Sequence, residues 1–531
     1  MKPRTTLRTL GTLSLTMTGI TCIIGSGWLF GAYNAAKIAG PAAILSWVIG
    51  GFSILLVAMT LIELAILFPK SGGMARYVNY SHGSLAGFLS GWASWLAIVT
   101  TIPAEATASI QYLCSWHFSW CQLLFTPATG QLTNYGLLAA VGLVVIFFLM
   151  NYWTVKLLMR FIVSITIIKI VVPLFTIVML FVTSFHHDNF HLTAQEFAPY
   201  GWSAVLTAVA TCGIIFSFNG FQTPLNFAGE AKRPHITLPI AVILAILITL
   251  IIYVLLQIVF IGAISPSVLQ GGSWHALSFS SPFAELAISL NLNVLLLTVY
   301  ADAIISPSAT GVAYMGSSAR MLYGMQKHGH MPNFLGTLHE KFLIPRGAMW
   351  INFAVSLLFL FFYRGWGGLA AVISVATVFS YLTGPVAVMG LRKISSGLKQ
   401  YVKIPFLAVI APLAFTIVSL IFFWSCWPLT GQIILVLSLG LIIYFYYEHK
   451  NGWVNFAKQL KASLWLIVYI FVMALLSYLG GEAFGGIGLL TAGWDQLAVA
   501  LAALLFYCWG VNSAWVTPEL LKARENSDQQ D

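Results

Sequence analysis

Two stretches of this chain place glycine, hydroxyl and amide residues inside otherwise apolar surroundings. The first is Ile24-Gly25-Ser26-Gly27-Trp28. The second is Phe216-Ser217-Phe218-Asn219-Gly220-Phe221, followed at once by Gln222, Thr223 and Pro224. Each glycine costs a helix about 1 kcal/mol and proline withdraws a backbone donor, so both stretches should unwind. A half-helix resuming near Trp28 presents free N–H groups and partial positive charge, which suit a carboxylate. The unwound carbonyls around Ser217 to Asn219 suit an ammonium group. Gly25, Ser26 and Gly27 on one side, with Phe216, Ser217, Asn219 and Gln222 on the other, are therefore a candidate site for a zwitterion such as a free amino acid. The competing reading is that the glycines only let helices pack closely.

Ionisable side chains in the same surroundings are the second candidate set. Glu63, Glu105, Lys169 and Asp302 each lie in an apolar run, where a charge costs about 2.5–3.5 kcal/mol on lenient scales. Glu63 sits near the end of its run and should snorkel or pair with a loop cation. Lys169 and Asp302 sit near the middle of theirs. One turn beyond Asp302 comes Ser306-Pro307-Ser308. Pro307 cannot donate to the carbonyl of Ala303, which leaves an acceptor beside two hydroxyls and makes Ser306 and Ser308 a candidate cation site. Lys169, Asp302 and Glu105 are the candidate proton carriers. For Lys169 and Asp302 the alternative is a static ion pair. Glu105 has three roles open to it: pairing with Lys169, contacting a ligand, or relaying protons.

The elements that must hold these groups follow from composition. Of 531 residues, 59% are apolar and 8% charged, against roughly 25% charged in a typical soluble domain. Runs of 18 or more uncharged residues recur, and their continuity argues for helices rather than the alternating strands of a barrel. The runs fall at 12–36, 42–68, 84–113, 135–151, 158–184, 203–228, 237–264, 290–318, 347–362, 369–391, 404–425, 430–447, 463–480 and 496–515, about fourteen membrane spans. Each break falls on the first helix of a group of five. Paired interrupted helices in matched positions are the sequence pointer to the binding site of an inverted-repeat transporter.

The net charge of +10 does not point to nucleic acid. With the N-terminus cytoplasmic, every Lys and Arg except Lys37, Arg364 and the intramembrane Lys169 falls on the cytoplasmic side, which is the positive-inside rule. Both termini are thus expected in the cytoplasm. The first run resembles a secretory signal but is too long and leads directly into another span. The six Cys show no metal-ligand spacing, and Cys114 and Cys121 should be free, with pairing the alternative.

Four motifs in order resemble the amino acid–polyamine–organocation permeases. Gly25-Ser26-Gly27 with its aromatic run resembles their first helix. Glu63-Leu-Ala-Ile-Leu-Phe-Pro-Lys-Ser-Gly-Gly is similar to their exit from helix 2. Phe216 to Pro234 resembles helix 6 and the loop after it, and Ser318-Ala-Arg-Met-Leu-Tyr-Gly-Met with Gly329-His-Met-Pro resembles the end of helix 8. The likeness covers roughly residues 10 to 400.

It implies an all-α membrane protein with a five-plus-five inverted repeat, discontinuous helices 1 and 6, and amino acid uptake by alternating access. By the same resemblance Ser26 and Gly27 hold the substrate carboxylate, and the backbone of Phe216, Ser217 and Asn219 meets its amino group. Thr166-Ile-Ile-Lys-Ile-Val-Val-Pro resembles the helix 5 of proton-coupled members, in which a lysine stands where sodium-coupled relatives hold the ion. The side chains of Asn219 and Gln222 depart from the usual pattern, so side-chain preference does not transfer. Trp28-Leu-Phe-Gly and the fourteen-helix layout resemble a branch that includes acidic amino acid–proton symporters, although no arginine lies at membrane depth to meet a second carboxylate.

The expected organisation is a cytoplasmic terminus over 1–11, a transport core over 12–391, helices 11 and 12 over 392–447, an appended helix pair over 448–515 and a cytoplasmic tail over 516–531. The expected setting is a bacterial inner membrane, and the expected partners are an amino acid, protons and lipid, with no nucleic acid and no cofactor. The chain contains no G-x-x-x-x-G-K-S/T loop and no H-E-x-x-H, which excludes a P-loop pump and that class of metalloprotease. His186, His187 and His191 cluster but make a weak metal site at most. Amino acid or amine exchange without ion coupling is the nearest alternative. A membrane sensor or intramembrane enzyme is remote, because neither a signalling domain nor a nucleophile–base cluster is present.

Overall fold

The computed structural model describes residues 10–528 apart from 70–72, 115–118, 128, 154–155, 191–193, 270–272, 341, 343 and 395–402. His191, most of the 1–11 segment and Lys70-Ser71-Gly72 of the helix-2 motif therefore lie outside the described residues.

The first apolar run is two helices, α1 (Thr12–Ile23) and α2 (Gly27–Ala39), separated at Ile24, which is extended at φ −76° and ψ 100°. α3 (Ala43–Leu67), the short α4 (Gly73–His82) and α5 (Ser84–Leu113) follow. A hairpin of β1 (Phe125–Thr126) and β2 (Gln131–Leu132) precedes α6 (Asn134–Trp153) and α7 (Lys156–Thr183). After α8 (Ala194–Phe197), the sixth run is in three pieces: α9 (Gly201–Thr211), α10 (Ile214–Ser217) and α11 (Thr223–Asn226). α12 (Pro234–Ala263), α13 (Pro282–Ser289), α14 (Asn293–Lys327) and α15 (Arg346–Phe362) come next. The chain ends with α16 (Trp366–Tyr381), α17 (Thr383–Ile394), α18 (Leu407–Trp424), α19 (Leu429–Lys450), α20 (Phe456–Leu479), α21 (Trp494–Ser513) and α22 (Pro518–Asp528).

Among the described residues, eleven helical stretches are long and apolar enough to cross a membrane, and Thr12–Ile23, Gly201–Thr211 and Arg346–Phe362 are shorter apolar helices. Two of those short helices are short because a break cuts them. The protein is an all-α multi-pass membrane protein. Large apolar side chains such as Val178 and Val182 on α7 and Leu501 and Leu505 on α21 lie exposed on the outside of the bundle, where acyl chains rather than water suit them.

Two sequence expectations are refined. The run 369–391 lies within one 29-residue apolar stretch, Trp366–Ile394, that a turn at Leu382 divides into α16 and α17. Pro385 has no N–H for the Tyr381 carbonyl, and the Leu382 N–H turns back to the Phe379 carbonyl at 3.3 Å. The run 290–318 continues in α14 to Lys327, carrying Arg320 with it.

The most apolar stretch of α5 is wholly buried, packed between α14 and α16. Small residues on α5 also let a third neighbour approach: a Cβ on Gly87 would run into Asn79 of α4. Glu105 is thereby carried to the centre of the bundle. Glu63, expected to meet a loop cation, is fully buried and gripped by Arg392 in the last turn of α17, with Nε to Oε1 at 2.7 Å and Nη2 to Oε2 at 2.5 Å. The Ile404 N–H adds a third bond to Glu63 Oε2 at 2.8 Å. All six cysteines, Cys114 and Cys121 included, are free thiols.

Candidate functional site

The two breaks cross against each other at contact distance. A Cβ placed on Gly27 would lie 2.2 Å from Ser217 Oγ and 2.9 Å from Ser217 Cα. Gly220, at φ +112°, lies so close to the end of α1 that a Cβ there would come within 2.4 Å of the Cys22 carbonyl oxygen. Glycine is required at both positions, at Gly220 by conformation as well as by space. The Tyr253 hydroxyl, from α12, ties the crossing together by donating to the Ser217 carbonyl at 3.0 Å and approaching the Ile23 carbonyl at 3.3 Å.

A small cavity lies in this crossing, lined by Gly25, Gly27, Glu105, Phe216, Ser217 and Asn219 together with Cys22, Ile23, Thr310 and Tyr314. Its free space is 10 Å³, about what one water needs, so this conformation is closed around the site. Asn219 Nδ2 and the Tyr314 hydroxyl are both buried there without a hydrogen-bond partner. Gln222 works inside the break: its Nε2 donates to Asn219 Oδ1 at 3.0 Å and its Oε1 accepts from the Gly220 N–H at 3.1 Å. The Phe216 carbonyl accepts the Asn219 N–H at 2.9 Å. Together with the bond from Tyr253 to Ser217, that engages two carbonyls proposed for an ammonium, although each keeps a second lone pair.

Glu105 is seated on the first break. The Ser26 N–H lies 3.1 Å from its Oε2 and 3.4 Å from its Oε1. The backbone nest assigned by sequence to a substrate carboxylate thus holds a carboxylate of the protein itself. Of the three roles left open for Glu105, direct ion pairing with Lys169 is not adopted; the ion pairs among the described residues are His330–Glu448 and Arg392–Glu63. The Lys169 ammonium donates to Thr310 Oγ1 at 2.7 Å and to the Thr21 carbonyl at 3.1 Å. It therefore links the last turn of α1 to α14. The hydroxyl it meets belongs to neither Ser306 nor Ser308 but lies one turn past Ser306: Ser306 and Thr310 share a face of α14, and Thr310 is the one level with the end of α1, where a Cβ on Gly25 would also come within 3.4 Å of it. Pro307 leaves α14 unbroken.

Asp302 also stands apart from Lys169. Its Oδ2 accepts the Trp28 indole N–H at 3.1 Å, while Oδ1 and the Ser306 hydroxyl are buried without partners. Above the cavity, Trp366 donates its indole N–H to Ser26 Oγ at 2.8 Å, stacks on Phe30 at 4.8 Å and meets Phe216 edge-on at 5.8 Å. Trp366, Tyr253, Thr310 and Tyr314 were not singled out by sequence. The only available signal was a polar tip in an apolar run. Among the described residues no three His, Cys, Asp or Glu converge on a metal.

The profile of the family described as amino acid permease matches residues 10–446. This chain belongs to that family. The permease is 50% identical over 523 residues to the glutamate/serine transporter AimA of Bacillus subtilis, covering 98% of this chain and 97% of that one. It is 33% identical over 508 residues to the aspartate-proton symporter of the same organism, covering 94% and 96%. The methylthioribose transporter of B. subtilis is 27% identical over 462 residues, covering 86% and 96%. The permease is an amino acid transporter rather than an enzyme, as the sequence led us to expect. The family match ends within α19, whereas the first two relatives align over nearly the whole chain.

Proposed function

We propose that the permease imports amino acids, acidic ones among them, together with protons, and that the crossed breaks are its central binding site. In this reading the core over 12–391 is a five-plus-five inverted repeat, 448–515 is an appended pair, and both termini face the cytoplasm of a bacterial cell. The observation that carries the coupling is the Lys169 ammonium bonded to the Thr21 carbonyl and to Thr310. A charged donor makes roughly twice as strong a hydrogen bond as a neutral one. Protonated, Lys169 pins α1 to α14 and keeps the cytoplasmic half shut. Neutral, it loosens that tie and lets α1 swing.

Substrate binding follows from the seat of Glu105. An α-carboxylate on the Ser26 N–H displaces the Glu105 carboxylate, and a carboxylate released into apolar surroundings takes a proton rather than remain charged. Binding and proton uptake are thereby linked. Asn219 Nδ2 and the Tyr314 hydroxyl, both without partners, are donors for the rest of the substrate. The acidic preference is supported by two relatives, one named for glutamate and serine and the other for aspartate and protons.

Proteoliposomes with an acidic exterior and no sodium test the reading. The parent should concentrate radiolabelled glutamate or aspartate and lose the gradient on adding an uncoupler, while Lys169→Ala equilibrates substrate without concentrating it. Accumulation that needs internal amino acid and ignores the uncoupler would make the permease an exchanger. Parent-level, uncoupler-sensitive accumulation by Lys169→Ala would move the coupling to Glu105 or Asp302.

A further inference from the structure

A second recess of about 400 Å³ opens at the end of the bundle away from the Lys- and Arg-rich loops. Its walls are the end of α2, the β1–β2 turn, the segment before α13 and the turn from α15 into α16. The volume lies within the roughly 300–1,000 Å³ of small-molecule sites.

Lys37 and Arg364 both line this recess. They are the two basic residues that the chain leaves on that side of the membrane. The positive-inside rule removes cations from this face, so topology gives no reason for either one. Neither has a carboxylate partner among the described residues. The Lys37 ammonium lies 5.8 Å from the centre of the Tyr33 ring, and Arg364 Nη1 donates to Asn134 Oδ1 at 3.0 Å. No Asp or Glu lines the recess; its polar lining includes Asn34, Gln111 and Ser278. Uncompensated cations set in low-dielectric walls focus a positive potential on the space between them.

The floor of the recess is the stacked pair of Phe30 and Trp366. Beneath it Trp366 reaches Ser26 and Phe216, which belong to the first and second breaks. A molecule resting in the recess is therefore one aromatic layer from the central cavity.

The geometry points to a reception site for anionic amino acids, in which Lys37 and Arg364 gather the side-chain carboxylate before the Trp366 layer opens. Selection for an acidic side chain then takes place in the vestibule. That accounts for acidic substrates in a chain without an arginine at membrane depth. The inference rests on the orientation and substrate class proposed above.

The test is initial uptake of aspartate, glutamate and serine, each well below its KM, by the parent and by Lys37→Gln/Arg364→Gln in proteoliposomes at low and high salt. At low salt, uptake of the two acids should fall about tenfold more than serine uptake in the double variant, the lower end of the range for electrostatic capture. High salt should bring the parent down toward the variant. Lys37→Arg/Arg364→Lys should stay near the parent, which separates charge from fold. Equal losses for acids and serine, as expected if the two cations only anchor lipid headgroups or brace the hairpin, overturn the inference. Acid uptake that survives neutralisation also overturns it. A parent that takes up serine but neither acid overturns the substrate reading and this inference together, whereas acid uptake that ignores both charges overturns this inference alone.

Discussion

Replacing Gly27 with alanine probes the crossing of the two breaks directly. The added methyl would lie 2.2 Å from Ser217 Oγ, 2.8 Å from Ser217 Cβ and 2.9 Å from Ser217 Cα. The hydroxyl alone could rotate away, giving up its bond to the Gly213 carbonyl at 2.7 Å. The Cα cannot, so α2 and α10 must separate. Overpacking of this kind costs about 1–3 kcal/mol. That cost falls on the closed conformation, where the breaks touch, and not on a state in which they have parted. If substrate, once it has displaced Glu105, is held with the two breaks still at this spacing, apparent affinity falls with the population of that state. An expense of 1–3 kcal/mol then corresponds to a loss of about 5- to 150-fold. Equilibrium binding of radiolabelled substrate to purified protein in nanodiscs measures this, with thermal unfolding alongside to establish that the variant folds. Gly27→Ala/Ser217→Gly, which removes the hydroxyl and Cβ from the clash but keeps the Cα, should recover part of the loss. A folded Gly27→Ala protein that binds substrate as the parent does would refute the placement of the site.

Two further perturbations test the scaffold. Tyr253→Phe removes the one hydroxyl shared by the Ile23 and Ser217 carbonyls. It should lower the unfolding midpoint by an amount equivalent to about 1–3 kcal/mol and slow uptake, and an unchanged midpoint would show that the carbonyls find other donors. Arg392→Leu leaves the buried Glu63 with only the Ile404 N–H to answer its charge, at a cost of about 3–5 kcal/mol. Glu63→Leu/Arg392→Leu should restore most of that stability, and thermal melts that show no recovery would contradict the pairing argument.

The breaks around Gly25 and Gly220 were legible in the sequence because glycine and proline act locally: Gly25, Gly27, Gly220 and Pro224 constrain the backbone wherever they stand. The earlier interruption at Cys212 and Gly213 and the helical state of Phe216 and Ser217 were not. The spans were legible because apolar length is a property of a run. What the sequence concealed depends on rotation and rotamer. Ser306, Ser308 and Thr310 are equivalent hydroxyls on paper; Ser306 and Thr310 share a face of α14, and only the height of α14 against α1 selects Thr310. Glu105 could be placed at depth but not on the Ser26 N–H, since that requires the packing of α5 between α14 and α16. Trp366 was hidden among 18 tryptophans because an indole that packs on both breaks has no spacing of its own. The division at Leu382 was missed because hydropathy does not register which carbonyl Pro385 leaves free. The short helices α4, α13 and α22 carry too little apolar length to stand out from loops.

The grip of Arg392 on Glu63 has a consequence for how this chain can change over generations. Losing either partner alone leaves the other charge without its counter-ion, while losing both together is tolerable, so neutral drift at these two positions must pass through a costly single step. The pair joins α3, near one end of the sequence, to α17, more than three hundred positions later. Across descendants of this chain, residues 63 and 392 should therefore be inherited as a couple, and a recombinant that takes one from each of two diverged parents should be the hybrid that fails to accumulate.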